Sequence, residues 1–198
     1  MQNKKTKKVK KQEINIEPPV KYLIMSDLDG TLLNSKEQLS DQTVKIIKKI
    51  SDQGHLFAIA TGRPKRASVD FYRRLGLKTL MVNFNGSYIN NPSKPKFTPI
   101  NLGFNYKIAI NIFNNKRIHK WIENVIIENM DGVFVYQEPK NVKQRNALYS
   151  HFHIEKKDKF RYIAKDWTNI HSDIHSILIL LKNEKYIDEL TYEIKRLS

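Results

Sequence analysis

Three apolar segments separated by two helical ones constrain this chain more than any other feature. Val20 to Ser26, "HLFAIA" (His55 to Ala60) and "TLMVNF" (Thr79 to Phe84) carry the residue types of a buried strand. Between the first two, Ser40 can cap a helix in which Val44, Ile46, Ile47 and Ile50 recur at helical spacing, and Gly54 can end it. Between the second and third, Pro64 opens a helix running to about Leu75, closed by Gly76. The third segment stops at Asn85-Gly86, a strong turn signal. Strands of buried type alternating with helices specify an α/β fold: a parallel, Rossmann-like sheet with helices on both faces.

Chemistry gathers where these strands end. In "YLIMSDLDGTLL" an apolar segment runs into Asp27 and Asp29, two apart and therefore on one side of an extended chain, with Leu28 on the other. Open α/β sheets place ligands at the carboxyl ends of their strands. Two adjacent carboxylates repel unless a cation such as Mg2+ lies between them, and Gly30 lets the chain turn sharply away. An EF-hand is excluded, because its sixth and twelfth loop positions would be Leu32 and Gln38. At the next strand end, "FAIATGRP" supplies the Thr61 hydroxyl and the Gly62 amide before a helix start, which suits an anion. Together the two strand ends describe a phosphate clamp beside a metal site.

The motifs "DLDGTLL", "IATGRP" and "NFNGSYI", in this order, resemble those of the haloacid dehalogenase-like (HAD) phosphatases, in particular the Cof-type branch (class IIB). The resemblance runs from about Lys21 to the end. It implies a Mg2+-dependent phosphatase that hydrolyses small phosphorylated metabolites through an aspartyl phosphate, with an inserted α/β cap domain. Asp27 would be the nucleophile and a metal ligand; Asp29 would be the general acid/base and lend its backbone carbonyl to the metal. The Leu28 backbone with Thr61 and Gly62 would hold the phosphoryl group, and Arg63, Asn85 and Gly86 would shape the substrate mouth.

The family pattern also requires a lysine opening the second half of the core and a Gly-Asp segment completing the metal site. Asp131-Gly132 has the reverse order and Asp173 lacks the glycine, so neither supplies them. In the family fold the strand bearing these groups lies beside Val20 to Ser26, which without it becomes an exposed edge. The expectation is therefore the amino-terminal portion of a longer phosphatase: residues 1–19 a basic disordered tail, 20–90 the N-terminal part of the core, 91–198 the cap, with the C-terminal core half absent. A complementing C-terminal fragment is then a candidate partner. The alternative is a non-catalytic remnant or phosphate-binding module.

Within 91–198, "NKRIHKWIENVIIEN" (Asn115 to Asn129) has helical spacing, making Trp121, Ile122, Val125 and Ile126 a buried stripe. Gly132 to Gln137 and "SILILL" read as strands and Lys185 to Leu197 as a helix; "YKIAINIF" fits either type. His171 and His175 stand four apart but lack an acidic partner, so structural roles are expected; His151 and His153 read as solvated. Tyr136, Tyr149 and Trp167 suit either the cap's substrate side or its core.

The 198 residues contain no cysteine, which excludes disulfides and thiolate zinc sites and fits a reducing, cytoplasmic setting. No apolar run approaches the roughly 20 residues of a membrane-spanning helix, and none of signal-peptide length follows the basic start. The formal charge of +15 is spread over a lysine tail and scattered lysines without a stripe of arginines and aromatics, so neither nucleic acid nor membrane is the expected partner.

Overall fold

In the computed structural model the described residues are 20–155, 158, 160–162, 167 and 170–197; the basic tail lies outside them. Strands β1 (Leu23–Ser26), β2 (Leu56–Ala60) and β3 (Met81–Asn83) are adjacent and parallel, with Leu23 beside Leu56 and Ile59 beside Met81. Helix α1 (Asp41–Asp52) makes the first crossover, and Ser40 Oγ accepts from the Thr43 amide at 3.0 Å, capping it as expected. Helix α2 (Val69–Arg74) starts later than Pro64 suggests. A 3-10 turn, Lys65–Ala67, comes first, and the Ser68 hydroxyl donates back to the Pro64 carbonyl at 3.0 Å, competing with regular helix.

Two right-handed crossovers stepping the same way place both helices on one face. There Ile24, Phe57, Ile59 and Met81 pack with Ile47 of α1 and Tyr72 of α2 in one apolar cluster. The other face, where helices are also expected, is open around β1: Leu23, Met25 and Leu56 are 61%, 52% and 55% exposed. β1 is an edge strand, as expected. The sequence patterning does not foretell the antiparallel continuation, β4 (Tyr88–Asn90) and β5 (Ile100–Asn101), which completes a sheet of order β1-β2-β3-β4-β5.

A second sheet follows. "YKIAINIF" is a helix, α3 (Tyr106–Asn114), because Asn105 Oδ1 caps the Lys107 amide at 2.9 Å. The helix expected over 115–129 is instead a short 3-10 turn, Ile118–Lys120, and a strand, β6 (Ile122–Asn129). β6 lies between β7 (Gly132–Val135) and β9 (Ile174–Leu181), in a sheet of order β8-β7-β6-β9 with β8 at Phe160–Tyr162. Buried on both faces, it needs apolar residues on both, which erases strand alternation and leaves a pattern that mimics helix. Asp131-Gly132 is the β6–β7 turn: Asn129 Oδ1 accepts from both amides, at 2.8 and 3.1 Å.

Helices α3 and α5 (Ile187–Leu197) cover one face of this sheet and α4 (Val142–His151) the other. Tyr136 and Trp167 belong to the core, stacked in the series Phe113, Trp167, Tyr136 at 5.0 and 5.1 Å. Paired hydrogen bonds between Phe104 and Ile174, at 3.0 and 2.9 Å, stitch the two sheets' modules together. Among the described residues no helix is long and apolar enough to cross a membrane.

Candidate active site

Where β1 ends, Asp27 remains extended and its Oδ1 accepts from the Leu28 amide at 2.7 Å. Asp29 (φ −73°, ψ 127°) and Gly30 (φ 69°, ψ 1°) have the dihedrals of the two central residues of a type II turn, the second of which favours glycine. The Leu33 amide closes the loop on the Leu28 carbonyl at 2.9 Å. Leu28 is fully buried in the core while both aspartates stay exposed, so the side chains divide as the D-x-D spacing implies.

Thr61 and Gly62 follow β2. The Thr61 amide donates to the Val82 carbonyl, its carbonyl accepts from the Asn85 amide, and its hydroxyl accepts from the Arg63 amide at 3.2 Å. A Cβ on Gly62 would stand 3.0 Å from Asn85 Oδ1, so only glycine lets that carboxamide lie against the loop without displacement. Phe84, Asn85 and Gly86 all have positive φ, 48°, 53° and 102°. This costly backbone is held by the Phe84 amide on the Arg63 carbonyl and by the Phe84 ring stacked on His175 at 4.8 Å. Beneath it Asn83, fully buried, donates to the Arg63 carbonyl and to Ser68 Oγ, at 3.0 and 2.8 Å, and accepts from Asn90 at 2.9 Å.

Asp27, Asp29, Thr61, Gly62, Arg63 and Asn85 thus line one cavity of about 340 Å³. Gly86 lines an adjoining space with four of these neighbours, Asp27, Thr61, Gly62 and Asn85. The second module closes the cavity with Glu128, His151, Phe152, His153 and Ser176. The site residues named from the sequence therefore lie at this place except Leu28, which is buried in the core between the two aspartates, its amide on Asp27 Oδ1.

Arg63 is only 6% exposed and turned inward rather than lying at a mouth. Its Nε and Nη2 hold the two Asp29 carboxylate oxygens, at 2.7 and 2.5 Å, and Nη2 also donates to Glu37 at 2.9 Å. The hydrogen bond from Arg63 holds the Asp29 carboxyl below its ordinary pKa, against an opposing effect of burial. Burial works against the Arg63 charge, yet Asp29 and Glu37 outweigh it and raise its pKa. His153 is not simply solvated: its Nδ1 lies 3.5 Å from Glu37, and burial, with Arg63, lowers its pKa. Glu128 is pushed up to about 7, chiefly by burial, despite Arg66 at 2.6 Å. Glu37, His153 and Glu128 carry no local signal of a site; tertiary approach alone brings them there.

His171 and His175 share no helix face. His175 is the second residue of β9, bonded to Ser87 Oγ at 2.9 Å, and His171 packs edge-on with Tyr106. Among the described residues no group of three or more His, Cys, Asp or Glu side chains is placed to hold a metal. The donors at hand, the Asp27 carboxylate and the Asp29 segment facing one cavity, fit a hard cation of the Mg2+ kind, which takes one or two carboxylates and fills its shell with water and phosphate oxygens.

An open α/β sheet with acidic and hydroxyl side chains gathered beyond its parallel strands defines a protein of the Rossmann-like class. The profile of the haloacid dehalogenase-like hydrolases matches residues 24–198, and the chain belongs to that family. A putative phosphatase of Metamycoplasma hominis is 34% identical over 126 residues, 63% of this chain and 45% of its own length. The 5-amino-6-(5-phospho-D-ribitylamino)uracil phosphatase YitU of Bacillus subtilis is 31% identical over 173 residues, 82% of this chain and 57% of its own. In structure, a haloacid dehalogenase-like hydrolase of Bacteroides thetaiotaomicron matches with TM-score 0.65 at 19% identity, over 89% of this chain and 63% of that one. A subclass IIB sugar phosphatase matches with TM-score 0.62 at 17% identity, over 89% and 64%. The chain spans about half the length of these curated relatives.

Proposed function

We propose that this chain carries the nucleophile of a Mg2+-dependent phosphomonoesterase acting on small phosphorylated metabolites, with residues 20–90 and the added strand β5 as core and the second sheet with its helices as cap. The observation that supports it most is the convergence of Asp27 and Asp29 with Thr61, Gly62 and Asn85 on one cavity. In the first half-reaction an Asp27 oxygen attacks phosphorus in line and the ester oxygen leaves with a proton from Asp29. In the second, Asp29 as carboxylate takes a proton from water as the water oxygen attacks the aspartyl phosphate, freeing phosphate and restoring Asp27. Thr61 Oγ and the Gly62 amide bind and orient the phosphoryl oxygens, and most of the rate comes from such positioning. Asp27 and the Asp29 backbone carbonyl would hold Mg2+, which when bound would offset the charge of the phosphoryl oxygens.

The cavity's neighbour supports a small organic leaving group. A larger space of about 420 Å³ shares His151 and Phe152 with the phosphate cavity and runs past Ile126, Leu178 and Leu180 of the second sheet. The test is p-nitrophenyl phosphate hydrolysis with Mg2+. Asp27→Asn is expected to lose turnover at least 100-fold, and the wild type to form a phosphoryl adduct on Asp27 that the variant does not. Turnover surviving in Asp27→Asn removes it as nucleophile.

One observation favours a second reading. Arg63 occupies both Asp29 oxygens, so the proton donor is held in its charged form. A phosphate-binding module without turnover would bind phosphate in a Thr61-dependent manner yet leave p-nitrophenyl phosphate intact.

A further inference from the structure

Two arginines three apart on the 3-10 turn Lys65–Ala67 and its approach reach opposite ways: Arg63 into its own module, Arg66 into the other. Arg66 Nη1 donates to the His153 carbonyl at 2.9 Å and to Asp158 at 3.1 Å; Nη2 donates to Glu128 at 2.6 Å and to the Phe152 carbonyl at 3.0 Å. Phe152 is the C-cap of α4, so the guanidinium sits at the negative end of that helix and takes the carbonyls of its C-cap residue and of the residue after it. Two further facts make this more than an ordinary ion pair. No α4 side chain is fully buried, so packing alone holds the helix weakly, and the carboxylates of Glu128 and Asp158, each 7% exposed, both pair with the Arg66 guanidinium.

We propose that Arg66 is a clasp which fixes the spacing of the two modules by capping α4 from across the cleft. As a positioning residue it keeps Glu128, Phe152 and His153 against the phosphate cavity they line. Charged groups beside Arg66 at this junction also include Glu37, Arg63 and Asp70 of the first module and Glu155 of the second, with His153 facing Glu37 at 3.5 Å. The clasp follows from geometry alone and stands or falls independently of phosphatase turnover.

Because the chain lacks cysteine, spin labels can be placed without removing native thiols. Two labelled forms of the full chain, Lys48→Cys with Lys143→Cys and Lys48→Cys with Glu189→Cys, report α1 to α4 and α1 to α5 by pulsed electron resonance. With Arg66 intact both distances are expected to be narrow. Arg66→Met should lengthen and broaden both and speed amide exchange in the last turn of α4 by about tenfold or more, the loss expected for a charge-assisted hydrogen bond. Arg66→Lys, with charge but no fork, should fall between. Arg73→Met, removing an exposed arginine paired within α2, should change neither distance. Unchanged distances in Arg66→Met overturn the proposal; so does a change confined to the α4 pair, which makes Arg66 a brace of one helix. If Arg66→Met fails to fold by circular dichroism, Glu128→Gln with Asp158→Asn removes the same charges from the other side, and unchanged distances there overturn it equally.

Discussion

Arg63 decides in which protonation state the second aspartate spends its time. Its fork occupies both Asp29 oxygens, favouring the carboxylate that the proposed second half-reaction would need over the acid that the first would need. Arg63→Met should therefore raise the Asp29 midpoint in a carboxyl-carbon NMR titration towards the ordinary value, and move the high-pH limb of kcat/KM to higher pH. A midpoint that stays put would show that the ion pair does not govern this group. Glu128 behaves in the opposite sense. Its folded pKa of about 7 exceeds the ordinary 4.5, so its contribution to stability is complete below pH 4.5 and is lost as pH rises through 7. The difference in urea-unfolding free energy between wild type and Glu128→Gln should thus change across pH 4.5 to 7, by on the order of 3 kcal/mol, and level off above it. Asp27, Asp29, Thr61, Gly62 and Asn85 were legible because each is fixed by a few neighbours at a strand end. Glu37, His153 and Glu128 were not, since what makes them part of the site is a contact made by folding across 26 to 116 positions of chain.

Elements were readable where a short apolar run or a single apolar stripe is closed by clear turn or cap residues, and obscured in the long strand β6, buried on both faces. α1 shows its apolar stripe and its Ser40 cap plainly, whereas β6, enclosed between β7 and β9, presents Ile122, Val125, Ile126 and Ile127 in a spacing that suits a helix as well. The short antiparallel strand β4 gave little to read, yet it matters to the site through Asn90, which donates to Asn83. Asn83 in turn ties β3 to the Arg63 carbonyl and to Ser68, the residue that delays α2. Asn83→Ala leaves these buried partners unmatched and is expected to cost about 3 kcal/mol in urea unfolding. It should also weaken phosphate binding, read by phosphorus NMR, since the loop carrying Thr61 and Gly62 loses its underside. A loss of stability with phosphate affinity intact would confine the network to a structural part.

At the scale of the molecule, the progression β1-β2-β3 sends both crossover helices to one face and leaves the other uneven. The covered face is a continuous cluster from Ile24 to Met81, while around β1 the second face presents Leu23, Met25 and Leu56 with Val20 and Tyr22 nearby. An apolar patch at a free sheet edge is unusual on a soluble monomer, because the edge strand offers unpaired amides and carbonyls beside dewetted surface. The high positive charge, +15, opposes association in low salt, and that opposition weakens as ionic strength shortens the range of repulsion. The folded protein is therefore expected to enhance the fluorescence of an apolar dye without denaturant, and to scatter more light as salt is raised from about 0.05 to 0.5 M at fixed concentration. Leu23→Lys with Met25→Lys puts charge on the edge while touching no member of the buried cluster, so it should cut dye fluorescence severalfold and abolish the salt-dependent scattering, with little change in far-ultraviolet circular dichroism. Equal dye binding in the double variant would locate the exposed apolar surface elsewhere and leave the β1 face without the role that its exposure suggests.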